Sequence, residues 1–184
     1  MMLAVAWIGT GCGRKSTAEM MQEGVQAAEA GNWVEAMKYA GMVTERDPAD
    51  SAAWTLKAVA AERAGQPQAA LESARRGAEL CPDSYAVWYT YGRLLAAQPG
   101  KEADALMYLM RAYNLNRSDA RSLALAIQCA ARLNRSEATR YYDILKVIDP
   151  VTAMRPEIQS SVGIYYLLAG DQHSGLTMLI EAFK

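Results

Sequence analysis

The sequence has one histidine, His173, one phenylalanine, Phe183, and three cysteines, Cys12, Cys81 and Cys129. There is no Cys-x-x-Cys pair and no Cys/His cluster, which argues against a structural zinc site. No nucleophile, base and orienting group can be read together, so the expectation is a non-enzymatic chain with no metal and no cofactor. Charge of one sign is also missing. Nineteen Lys and Arg against twenty Asp and Glu give a net charge of −1, with no global pull toward nucleic acid or an anionic membrane. Runs of Val, Ile and Thr alternating with polar residues are almost absent, and with them the signature of strands. What is present is alanine in abundance, with ten Met and ten Tyr. Alanine favours helix and allows close helix approach. The class is all-α, as one domain or one short repeat array.

The repeat is visible by alignment of the chain with itself. NWVEAMKYAGMVTERDPADSAAW (32–54) aligns with QPQAALESARRGAELCPDSYAVW (66–88) at an offset of 34 residues. Gly31 maps on Gly65, Ala36 on Ala70, Ala40 on Ala74, Pro48 on Pro82 and Trp54 on Trp88; Pro150 lies two further periods on. Proline cannot continue a helix and forces a turn. Asp50-Ser51 and Asp83-Ser84 offer N-caps to the helix after it. Gly31 and Gly65 suit a helix C-terminal turn.

On these residues the chain resembles the tetratricopeptide repeat (TPR) family, over about residues 17–184. The second repeat supplies Trp54, Ala58, Ala61, Ala70, Gly77 and Pro82, and the third Trp88, Gly92, Leu95, Ala105 and Ala112. The first supplies Met20, Gly24, Ala27, Ala36, Val43 and Pro48; the fourth is degenerate, with Ile127 at a small-residue site. The resemblance implies a right-handed α-α superhelix of about five helix pairs, with repeats at about 17–50, 51–84, 85–119, 120–152 and 156–184. Each pair leaves an apolar face bare until the next stacks on it. The last helix carries Leu176, Leu179, Ile180 and Phe183, and is expected to present an apolar face to solvent or to a partner. The competing reading packs those side chains back on their own hairpin.

The N-terminus, MMLAVAWIGTGCGRKS, admits two functional readings. Against the phosphate-binding pattern G-x-x-x-x-G-K-[ST], Lys15 and Ser16 are in register, but Arg14 takes the place of the second glycine. A helical repeat array also supplies no sheet for such a loop, so no nucleotide is expected. The other reading has an apolar run from Leu3 to Ile8, small residues Gly9-Thr10-Gly11, and then Cys12. It resembles a bacterial lipobox, with residues 1–16 as signal and polar tether and Cys12 as the lipidated residue. Gly9 replaces the usual Leu, and no Lys or Arg precedes the apolar run. An apolar tail packing on the first repeat remains the alternative.

The resemblance places ligands in the concave groove lined by the first helix of each repeat. Carried onto this sequence, the groove residues are Thr55, Glu62, Arg63, Tyr89, Arg93, Arg121, Gln128 and Arg132. The Lys and Asn set of chaperone-binding TPRs is missing there. Arginine forks suit carboxylates, so the expected ligand is an extended or helical segment with acidic side chains. The competing reading leaves these arginines solvated or paired with Glu62 and Glu102. Together the readings point to a protein- or peptide-binding scaffold. It is expected to be lipid-anchored in a bacterial envelope facing the periplasm and to assist assembly of an envelope complex. The alternative is a soluble cytoplasmic adaptor or regulator.

Overall fold

The computed structural model describes residues 15–184; Cys12 and the apolar run before it lie outside them. Among the described residues every regular element is a helix. They come in antiparallel hairpins: α1 (Thr17–Glu29) with α2 (Trp33–Arg46), α3 (Ser51–Arg63) with α4 (Pro67–Leu80), and α5 (Tyr85–Ala96) with α6 (Glu102–Leu115). Then follow α7 (Ala120–Arg132) with α8 (Glu137–Ile148), the short α9 (Pro150–Ala153), and α10 (Pro156–Leu168) with α11 (Gln172–Ala182). The first helices of the hairpins, α1, α3, α5, α7 and α10, also pack on one another in sequence, which makes an α-α superhelix. No described helix is long and apolar enough to cross a membrane.

The 34-residue spacing has a physical cause at each end of a hairpin. Trp54 Nε1–H donates to the Pro48 carbonyl at 2.9 Å, and Trp88 Nε1–H to the Pro82 carbonyl at 2.8 Å. A buried indole needs a partner for its N–H, and the proline turn before each helix provides one. Where Arg117 replaces the proline, the residue equivalent to the tryptophans is Leu123, which has no donor to satisfy. Asp50, Asp119, Asp149 and Asp171 each cap a following helix by accepting from the backbone N–H three residues on. Ser84 stands at the start of α5 without such a bond. Gly31 and Gly65 turn the first helix into the second with φ of +78° and +74°. Asn134 takes the equivalent turn of the fourth hairpin at φ +51°, a conformation that Asn tolerates better than most residues.

The core is a chain of clusters rather than one centre. The largest joins Leu95, Leu106, Leu109, Leu123, Ile127 and Leu145 across α5 to α8. Trp54, Val87 and Trp88 form another around Ala78 and Ala112. Gly77 explains why a small residue stands opposite Trp54: a Cβ there would lie 2.7 Å from the Trp54 Cβ. The aromatic ring thus seats against the second helix of its own repeat as well as against the next.

Residues 15–17 are tied to the first hairpin. Ser16 and Glu19 form a reciprocal capping box on α1. Lys15 pairs with Glu23, and its carbonyl accepts from the Arg46 guanidinium. On α11, Leu176, Ile180 and Phe183 are 54, 59 and 83% exposed, while Leu179 packs beside Gly163. The apolar face expected of the last helix is therefore present, with Leu179 alone turned inward.

Cys81 and Cys129 are buried free thiols. Burial pushes the Cys129 thiol up to about 11, and burial also raises that of Cys81. The reactive species is the thiolate. In a Cys12→Ser background, both thiols should react with Ellman's reagent at pH 8 only on the timescale of unfolding, and at once in denaturant. Immediate stoichiometric labelling of the native chain would contradict the burial.

Candidate functional site

Consecutive first helices carry their side chains on a shared concave face, so residues distant in sequence converge there. A hollow of about 420 Å³ forms where α5, α7, α9 and the start of α10 meet. Tyr89 and Arg93 come from α5; Arg121, Ala124, Leu125 and Gln128 from α7; Asp149 and Thr152 from the α8–α9 junction and α9; Arg155, Glu157 and Ile158 from the start of α10. Four of the eight residues expected to line a groove, Tyr89, Arg93, Arg121 and Gln128, are thus brought together.

Two of the three arginines in this hollow, Arg93 and Arg121, are held by ion pairs. Arg93 forms two parallel bonds to the Glu62 carboxylate, at 2.9 and 2.6 Å, from α5 to α3. The Arg93 bonds hold the Glu62 carboxyl below its ordinary range and raise the arginine further. Arg121 donates from Nε to Asp119 at 2.9 Å and from Nη2 to the Tyr85 hydroxyl at 2.6 Å. Its guanidinium also lies 5.0 Å from the centre of the Tyr89 ring. Burial raises the Tyr89 hydroxyl, keeping it a neutral donor at physiological pH. Arg155 makes no ion pair within 4 Å among the described residues, and it was not anticipated from the repeat pattern. It stands before Pro156, at the N-cap of α10, after a turn of helix that the other repeats lack. The six residues between Asp149 and Pro156, against the short turns at Pro48 and Pro82, are the sequence signal for that insertion.

The other predicted groove residues lie elsewhere. Thr55 donates back to the Ser51 carbonyl at 2.8 Å, within its own helix. Arg63 sits 5.9 Å from the centre of the Trp33 ring. Arg132 is exposed at the end of α7. Glu62 is engaged by Arg93. A second hollow of about 600 Å³ gathers around Gly31, Trp33, Val34 and Lys38 with Ala64, and none of the predicted residues lines it.

The Glu62–Arg93 pair has a readable pH signature. Because the folded carboxyl titrates below its unfolded value, its contribution is full above the unfolded value, near 4.3, and is lost as pH falls through the folded one. Both side chains are 30% exposed, so Glu62→Gln should lower stability by no more than about 1 kcal/mol at pH 7. Denaturant titrations of the two proteins should converge as pH falls through the titration of the folded Glu62 carboxyl. A gap that stays constant with pH would mean the pair is not what Glu62 contributes.

Residues 51–94 match the family model described as "Tetratricopeptide repeat". No curated protein sequence matches the chain. Among solved structures, MamA superposes with a TM-score of 0.78 at 20% identity, covering 91% of this chain and 90% of its own. YrrB, described as a TPR protein with an unusual peptide-binding site, gives 0.77 at 17%, covering 91% and 85%. TTC0263, a thermophilic TPR protein of Thermus thermophilus, gives 0.60 at 18%, covering 91% and 90%. At these identities the likeness is one of fold. Residues 51–94 carry the tetratricopeptide repeat, and the described array as a whole has the fold of proteins built from it.

Proposed function

We propose that this chain is a non-enzymatic scaffold that holds a protein or peptide segment in the concave hollow between α5, α7 and α10. The carrying observation is the hollow itself: a ring, an amide and cations presented by helices, with Arg93 and Arg121 already fixed by internal bonds. Prior ordering of Arg93 and Arg121 lowers the entropic cost of binding. The peptide-binding site named for YrrB supports the same use of a shared fold. Arg155 supplies a cation for an acidic side chain, Tyr89 and Leu125 an apolar surface beside it, and Gln128 a donor and an acceptor. The expected ligand is a segment with Asp or Glu next to an apolar residue. Panning a random dodecapeptide library on the purified protein should enrich that pattern. Enrichment no better than on serum albumin would remove the proposal.

The finer reading is a lipoprotein, anchored through Cys12 in a bacterial envelope and assisting assembly of a complex on the periplasmic side. It is supported by the order apolar run, small residues, Cys12 in the sequence. Three acyl chains give lasting attachment, since each buried CH₂ contributes roughly 0.8 kcal/mol. The native protein should partition into the detergent phase with lipid mass on Cys12, and the Cys12→Ser variant should stay aqueous. If both stay aqueous with residues 1–12 retained, the scaffold is a soluble adaptor instead.

A further inference from the structure

Three tryptophans lie among the described residues, and the repeat accounts for two of them. Trp54 and Trp88 are buried and donate their indole N–H to the proline turn before their own helix. Trp33 does neither. It is the first residue of α2, where α4, α6, α8 and α11 open on Pro67, Glu102, Glu137 and Gln172. Proline and polar residues suit that position, because the first N–H groups of a helix have no partner within it. A large ring there meets no need of the helix. The Trp33 ring is half-buried, and its N–H donates to no group among the described residues. No side-chain polar atom among them is both buried and unpartnered, so that N–H is open to water. Val34 beside it is 64% exposed.

The charges around the ring are unbalanced. Trp33 and Val34 line the hollow of about 600 Å³ at the α1–α2 turn, with Glu35 and Lys38 further along α2 and Ala64 at the end of α3. The Arg63 guanidinium lies 5.9 Å from the ring centre. Neither Arg63 nor Lys38 has an ion pair within 4 Å among the described residues. Glu62, next to Arg63 in the chain, is taken by Arg93. Two unpaired cations, one beside the ring and one in the wall, thus stand against one carboxylate, Glu35.

We infer that this hollow is a second binding site, and that it takes a protein segment in which an acidic side chain neighbours an apolar one. It shares no lining residue with the hollow between α5, α7 and α10 and does not depend on the role of that one. The apolar side chain lies on Trp33 and Val34, and the carboxylate is drawn to Arg63 and Lys38. Tryptophan and arginine are the residue types that carry most of the binding energy at protein interfaces, and the excess of cations selects an acidic partner. The shape favours a segment over a small molecule. Gly31, Val34, Glu35 and Lys38 are exposed, so the hollow is a dish, whereas small-molecule sites enclose most of their ligand. With two such sites, one array can hold two segments together and raise the effective concentration of one near the other.

The test is made on the full chain carrying Tyr89→Ala and Gln128→Ala, which impair the first hollow, and on the same chain with Trp33→Ala added. A random dodecapeptide library panned on the first protein should enrich peptides with Asp or Glu next to an apolar residue, and panned on the second it should not. Because the first hollow is impaired in both, failure there and failure here are distinguishable. An enriched peptide, followed by calorimetric titration, should bind about tenfold more weakly once Trp33→Ala is added. Lys38→Ala and Arg63→Ala, at exposed positions, should each weaken it by about threefold or more. Equal enrichment on both proteins, or none above serum albumin on either, overturns the inference. So does affinity unchanged by both Lys38→Ala and Arg63→Ala. A dimer seen by ultracentrifugation and dissolved by Trp33→Ala would also overturn it, by giving the ring to a second copy of the chain. Circular dichroism of each variant checks that folding is retained.

Discussion

Leu109→Ala is expected to lower stability by about 2–5 kcal/mol, with the midpoint of thermal unfolding falling on the order of 5–15 °C. Leu109 is fully buried in α6 and belongs to the cluster that ties α5 to α8. It also fills the space that Gly92 leaves: a Cβ on Gly92 would lie 2.9 Å from the Leu109 Cγ. Truncation removes the transfer energy of the side chain and leaves a cavity against a backbone that has no side chain with which to collapse into it. Met107, two residues earlier on the same helix, is 57% exposed, and Met107→Ala should stay within about 0.5 kcal/mol. The loss should also be local. Repeats couple mainly to their neighbours, so hydrogen exchange should accelerate first in α5 to α7, with α1 and α2 least affected. Equal losses for Leu109→Ala and Met107→Ala would contradict the burial pattern.

Glycine-to-alanine changes at Gly41 and Gly77 should have opposite signs. Alanine is the better helix former by about 1 kcal/mol, and both glycines lie inside helices. A Cβ on Gly41 meets only the tip of Lys57 at 3.8 Å, so Gly41→Ala should gain about 0.5–1 kcal/mol. A Cβ on Gly77 would lie 2.7 Å from the Trp54 Cβ and 3.1 Å from its Cγ, with Val87 at 3.3 Å. The Trp54 Cβ is fixed to its backbone and its indole is tied to Pro48, so it cannot yield cheaply. Overpacking typically costs about 1–3 kcal/mol, which outweighs the propensity gain. Gly77→Ala should therefore be net destabilising, by up to about 2 kcal/mol, as measured by urea midpoint at constant slope. If both variants were stabilised, the seat of Trp54 against α4 would be looser than described.

Most of the architecture is legible from spacing alone, because the repeat imposes the same steric problem every 34 residues. Gly31, Gly65, Trp54, Trp88, Pro48 and Pro82 each mark a turn or a crossing that admits few residue types. Where a repeat solves the problem differently, the pattern goes silent. Leu123 needs no carbonyl partner, so Arg117 can stand in place of proline; Asn134 supplies the turn in place of glycine. The candidate site is legible only in part. Tyr89, Arg93, Arg121 and Gln128 stand at positions that the resemblance to the repeat family implies for a groove. Arg155 does not, because it depends on the extra turn α9, and a period-based reading passes over an insertion. Nor could the pattern decide between free and paired arginines. The Arg93–Glu62 pair spans two repeats, and only the stacking geometry brings the two side chains within bonding distance.

Calorimetric titration of a panned dodecapeptide tests the central claim, that the hollow between α5, α7 and α10 holds a protein segment. It should be run on the wild type and on Tyr89→Ala, Gln128→Ala and Arg76→Ala. Tyr89 and Gln128 line the hollow, whereas Arg76 is exposed on α4 and pairs with Glu72. Loss of a central aromatic contact commonly costs about 2 kcal/mol or more, so Tyr89→Ala should weaken binding by roughly 30-fold and Gln128→Ala by about tenfold. Arg76→Ala should bind as the wild type does. Unchanged affinity in both Tyr89→Ala and Gln128→Ala, with the peptide still bound, would place the ligand elsewhere on the protein and contradict the account.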